Sequence, residues 1–68
     1  MKFDLSLYNL TAIEEAVQAY EPLCDIDTFI QDGFCICHFG NFRYSPEQTM
    51  AEFGNYALEG SIQKRGIQ

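Results

Sequence analysis

The side chains best suited to chemistry crowd into Cys35-Ile36-Cys37-His38. Alternate residues of a strand share a face, so the thiols of Cys35 and Cys37 could converge on one ion or act as a redox pair. Structural zinc sites favour cysteines separated by two to four residues and need four ligands. His38 falls on the opposite face of such a strand, and Cys24 lies on the cysteine face but several residues away. Cysteine is also among the most buried residue types, packing as a small hydrophobe. The expectation is therefore core packing for all three thiols, with no metal and no cofactor; a small thiol or metal carrier using Cys35 and Cys37 is the alternative. A Cys-His nucleophile would need both groups on one side, and here the two types alternate. No G-x-S-x-G, P-loop or H-E-x-x-H pattern occurs. A domain of this size has little room for a ligand pocket of about 300 Å³ or more. No catalytic residue is assigned, and the chain is not expected to be an enzyme.

A hairpin must position these residues. Cys24 to Gln31 reads as a strand, Asp32-Gly33 as a tight turn, and Phe34 to Phe39 as the returning strand. Asp-Gly suits a type I′ turn, in which both central residues take positive φ. With a two-residue loop, Gln31 opposes Phe34, Thr28 opposes Cys37 and Ile26 opposes Phe39. One face then carries Cys24, Ile26, Thr28, Ile30, Cys35 and Cys37, with Phe39 beside them. The other carries Asp25, Asp27, Phe29, Gln31, Phe34, Ile36 and His38, with Asp27 across from His38 as a cross-strand charge pair. A glycine-bulge turn taking in Gln31 would shift the register by one and mix His38 into the aliphatic face. The two-residue loop segregates apolar from polar side chains better, and register follows that segregation.

Phe3, Leu5 and Leu7 alternate with polar residues, as a half-buried strand does. Asn9 and Thr11 both qualify as caps of a following helix, and Thr11 with Glu14 has capping-box spacing. Glu14 and Glu15 then fall in the first turn, where the helix dipole favours acids. Ile13, Ala16, Val17 and Tyr20 form its apolar stripe, and Pro22 ends it. After a loop through Phe42, Arg43 and Tyr44, Ser45-Pro46 opens a second helix expected to run to about Arg65. Met50, Phe53, Ala57, Leu58 and Ser61 mark its apolar side, and Gly54 on that side predicts a close approach to the sheet. The whole, residues 1–68, is a single small α+β domain in the order β-α-β-β-α. That order is a truncated ferredoxin-like arrangement: a three-stranded sheet with two helices on one face. A right-handed crossover would set the first strand beside the third and parallel to it.

The sequence has 68 residues, 47% of them hydrophobic, and a net charge of -6. A chain so short has a marginal core, and its surplus of apolar residues predicts self-association or a partner. The helix-free face holds Phe29, Phe34 and Ile36, expected as a partner-binding patch and a homodimer contact. The aromatic-basic cluster Phe42, Arg43 and Tyr44 is a second candidate, since Arg and Tyr anchor interfaces. An acidic balance argues against nucleic acid and against anionic membranes. No apolar run approaches the length of a spanning helix, and the first residues lack a signal-peptide core. With three cysteines expected as free thiols, cytoplasmic residence is the default.

The cues resemble one small bacterial family, the HxsD-type proteins of His-Xaa-Ser peptide-maturation systems. The resembling residues are Leu7-Tyr8, Ala12-Ile13 with Ala16 and Tyr20, the hairpin around Asp32-Gly33, and Glu52-Phe53 with Asn55. Family members are longer at the C-terminus, and the likeness has no clear match beyond Leu58. The resemblance implies an accessory protein working beside radical-SAM maturases on a ribosomal peptide, by binding the peptide or the enzyme, for which an open sheet edge offers strand addition. It implies no catalytic residue.

Overall fold

Asp32 and Gly33 both adopt positive φ, 54° and 78°, and close the hairpin as a two-residue turn. The strands it joins, β2 (Asp25–Gln31) and β3 (Phe34–Gly40), pair antiparallel from Gln31↔Phe34 to Asp25↔Gly40. This is the register that segregates the two faces. The computed structural model of the chain describes residues 1–66. In chain order the remaining elements are β1 (Lys2–Asp4), α1 (Leu10–Tyr20) and α2 (Pro46–Gly66). The protein is α+β, with a three-stranded antiparallel sheet in the order β1-β3-β2.

β1 lies beside β3 as expected, but antiparallel to it: Lys2 faces Ile36, Phe3 faces Cys35 and Asp4 faces Phe34. The expected parallel pairing is corrected by the hairpin itself. The crossover through α1 leaves β1 and β2 parallel, and β3 folds back between them, so it runs against both. Met1 extends this ladder, its carbonyl accepting from the Cys37 N–H at 2.7 Å.

Both helices pack on the face that bears Phe3, Cys35 and Cys37. Ile13 and Ala16 of α1 and Phe53 and Ala57 of α2 complete the buried cluster. Phe53 sits at its centre, with ring contacts to Phe3, Tyr20 and Phe39 at 6.0, 5.7 and 5.1 Å. The helix α1 starts at Leu10 because Asn9, not Thr11, caps it. Asn9 is extended, at φ -85° and ψ 127°, and its Oδ1 accepts from the Ala12 N–H at 3.1 Å. Glu14 and Glu15 therefore fall beyond the first turn, which holds no acid.

In α2, Ser45 Oγ accepts from the Gln48 N–H at 3.3 Å and Pro46 follows as the first helical residue. The buried row is Thr49, Phe53, Ala57 and Ser61, each one turn on from the last. Leu58, expected on this side, is 42% exposed because it lies off that row. The glycine expectation also shifts. A Cβ at Gly54 would meet nothing within 4 Å, whereas one at Gly60 would stand 3.0 Å from Ala12 Cβ. The close approach is thus between the two helices, not between helix and sheet.

Candidate functional site

The strand alternation leaves one sheet face without a helix. Phe29 and Ile36 are directly paired across β2 and β3, and Phe34 lies two residues along β3 on the same side. Phe29 is 44% exposed, while Phe34 and Ile36 are half-buried. β1 trims this patch: Lys2 Nζ lies 4.6 Å from the centre of the Phe34 ring, a cation–π contact. At the other side, the His38 ring stands edge-on to Phe29, with centroids 5.3 Å apart.

Asp27 and His38 are register partners, as expected. The ion pair drawn between them is not formed; the ion pairs among the described residues are Arg43–Asp25 and Lys64–Glu15. His38 spends its ring on Phe29 instead.

The loop cluster disperses. Phe42 stacks on Phe39 at 6.2 Å and an interplanar angle of 10°. Arg43 donates its backbone N–H to Leu23 O at 2.9 Å and reaches Asp25 Oδ1 at 3.4 Å. Tyr44 is 68% exposed at the start of α2 and lines a shallow cleft of about 240 Å³ with Leu23, Gln48 and Glu52. Of the six residues singled out, Phe29, Phe34 and Ile36 form one surface. Phe42, Arg43 and Tyr44 each go elsewhere.

Asp25 anchors the loop to the sheet. The Asn41 side-chain amide donates to its Oδ2 at 2.6 Å. That bond first, and Arg43 second, hold its carboxyl below the usual carboxylate range.

Cys24, Cys35 and Cys37 are free thiols buried on the helix side of the sheet, while His38 projects from the other side. Burial pushes the Cys37 thiol up to about 12, and the neighbouring Cys35 adds to the rise. The thiols of Cys24 and Cys35 are raised by burial too. A thiol held protonated is neither a nucleophile nor a ready metal ligand. Among the described residues no group of three or more His, Cys, Asp or Glu converges as a metal site would.

Composition did not mark the border of β2. Ile30 shares the helix-side face with Cys35 and Cys37, yet it is 57% exposed, because the helices do not reach it. Two clefts open along this strand. One, of about 420 Å³, lies between α1 and Thr28; the other, of about 440 Å³, runs from Glu21 to Asp27. Both are larger than the chain's length led us to expect, and both open to solvent. The β-α-β-β-α order leaves one sheet edge open, and it is this one: the register down β2 is unbroken and no bulge or proline interrupts its outer edge.

No family model matches the chain, and no curated protein and no solved structure matches it. Among the described residues no helix is long and apolar enough to cross a membrane.

Proposed function

We propose that this chain is a non-catalytic accessory module that binds another protein or peptide. The observation that carries the reading is the helix-free sheet face, where Phe29, Phe34 and Ile36 stand together with none of the described elements above them. Aromatic and aliphatic side chains grouped on a rigid sheet are the usual make-up of an interface centre. Lys2, Asp27 and His38 rim the patch with polar groups. Read as a ferredoxin-like unit short of its last strand, the fold has this face and a sheet edge left for a partner. The resemblance to HxsD-type proteins extends the reading to peptide maturation, with a radical-SAM maturase or its precursor peptide as the molecule recruited.

The test is capture of purified maturase or precursor peptide by the wild-type chain and by the Phe29→Asp, Ile36→Asp double variant. Sedimentation velocity of both proteins runs alongside. Capture by the wild type and loss in a variant of unchanged circular dichroism is the expected result. Equal capture by both overturns the reading. A wild-type dimer that the double variant converts to monomer, with no capture by either, assigns the patch to a homodimer instead.

A further inference from the structure

β2 is an edge strand, paired with β3 on one side and, among the described residues, with nothing on the other. The Gln31↔Phe34 pair flanks the two-residue turn, so it exchanges both its hydrogen bonds, as do Phe29↔Ile36 and Asp27↔His38. The alternate residues Ile26, Thr28 and Ile30 therefore aim their N–H and C=O groups outward, away from β3. The same phase holds on the other side of β3, where the Cys37 N–H points to Met1 O. Every residue of β2 except Ile26 is exposed. The edge is seven residues long, has an unbroken register, and carries neither lysine nor proline. It is a ready template for an added strand.

Charge selects what can be added. On the helix side the edge is bordered by Glu14, Val17, Gln18 and Glu21 of α1 and the turn after it. On the open side it is bordered by Asp25, Asp27 and Phe29. Among the described residues Glu14, Glu21 and Asp27 form no ion pair. A second copy would bring the same carboxylates, and a net charge of -6, against its own edge. An added strand turns alternate residues to opposite faces, so its cations would meet Asp27, beside Asp25, on the open side while its aliphatic residues cover Val17 and the exposed Ile30 on the helix side.

We infer that the free edge of β2 binds an extended basic peptide by strand addition, one in which lysine or arginine alternates with aliphatic residues. The inference rests on the reading of the chain as a protein-binding module, and it assigns that module a second surface, the edge rather than the face.

The experiment titrates a fluorescent peptide of alternating lysine and valine into the full chain, with an alternating glutamate-valine peptide as control. Saturable binding of the lysine peptide is expected, weakening as salt rises, with no binding of the glutamate peptide. Thr28→Pro removes one outward N–H without touching the β2–β3 ladder and alters no charge. It should weaken the lysine peptide about tenfold while circular dichroism stays unchanged. Should Thr28→Pro fail to fold, Asp27→Lys decides, because it must weaken the lysine peptide and admit the glutamate one. Equal binding of both peptides, no binding of the lysine peptide, or undiminished binding by a folded Thr28→Pro overturns the proposal. So does a wild-type dimer that Thr28→Pro dissociates, which would put a second copy on the edge. Ile36→Asp alone, on the central strand and away from the edge, should lose capture at the face and retain lysine-peptide binding, so the face and the edge site are read separately.

Discussion

The backbone N–H of Asn9 donates to Ser61 Oγ at 2.9 Å, from a residue 52 positions away in the chain. Asn9 caps α1, and in a capping box the third helical residue would accept that N–H through a glutamate or glutamine side chain. Here that residue is Ala12, which has no acceptor. Ser61 supplies it from α2, while its own hydroxyl donates to Ala57 O at 2.8 Å. The box is completed in space, between helices. Ala12 must be small for this to happen, because Gly60 of α2 rests against it.

Ser61→Ala leaves the Asn9 N–H without its acceptor in a partly buried site. The expected cost is about 1–2 kcal/mol. Asn9→Ala removes a separate bond, the cap to Ala12, and should cost about 1 kcal/mol. Urea midpoints of the two single variants and the double variant measure whether they couple. A Ser61→Ala protein as stable as wild type would show that water takes the place of the hydroxyl.

The two glycines of α2 should respond oppositely to the same change. Gly54→Ala places a methyl in open space and replaces a poor helix former, so it should stabilise by about 0.5–1 kcal/mol. Gly60→Ala carries the same propensity gain, but its methyl would meet Ala12 Cβ at 3.0 Å. Accommodating it requires α1 and α2 to part and stretches the Asn9–Ser61 bond. Thermal denaturation should place Gly60→Ala below Gly54→Ala. The reverse order would mean that the helices separate at little cost.

Gly33 sits at φ 78°, and Asp32 before it at 54°. Gly33→Ala puts a Cβ into the left-handed region, with an expected loss of about 1–2 kcal/mol. Asp32→Asn should be tolerated, since asparagine suits the first position of this turn at least as well. Chemical-denaturation midpoints check both. If Gly33→Ala were neutral, the turn would be relaxing to another type, and the register that aligns Phe29 with Ile36 would slip with it.

The hairpin was legible because two demands coincided: a turn that needs positive φ twice, and strands whose apolar residues alternate. From these alone Phe29, Phe34 and Ile36 fall on one face and Cys35 and Cys37 on the other. The crossover alone does not fix the direction of β1 against its neighbour, because its parallel partner is β2 and the hairpin strand β3 inserts between them. The cap of α1 was ambiguous because its decisive partner, Ser61, is distant in sequence. Gly54 and Gly60 look alike in a helix, and only the crossing of α1 over α2 tells them apart. Phe42, Arg43 and Tyr44 are adjacent in sequence, but Asn41 takes φ 50° and the loop turns each side chain toward a different neighbour.

The buried thiols give the fold an alkaline limit. The Cys37 thiol ionises near 9.0 in an unfolded chain and is pushed up to about 12 in the fold, chiefly by burial. Below pH 9 both states keep the proton, and the full stability of the buried thiol is present. Between pH 9 and about 12 the unfolded chain gives up a proton that the folded chain holds, so stability falls as pH rises. Cys24, Cys35 and Tyr20 are shifted upward as well and add to the fall. Urea midpoints measured at neutral pH and again above pH 9 should show the decline, and Cys37→Ala should flatten it relative to wild type. In the same range a thiol reagent should modify wild-type Cys37 only as fast as the protein opens. Rapid labelling without unfolding, or an unaltered slope in Cys37→Ala, would show that the thiol reaches water in the native state and would reopen its use as a redox or metal-carrying group.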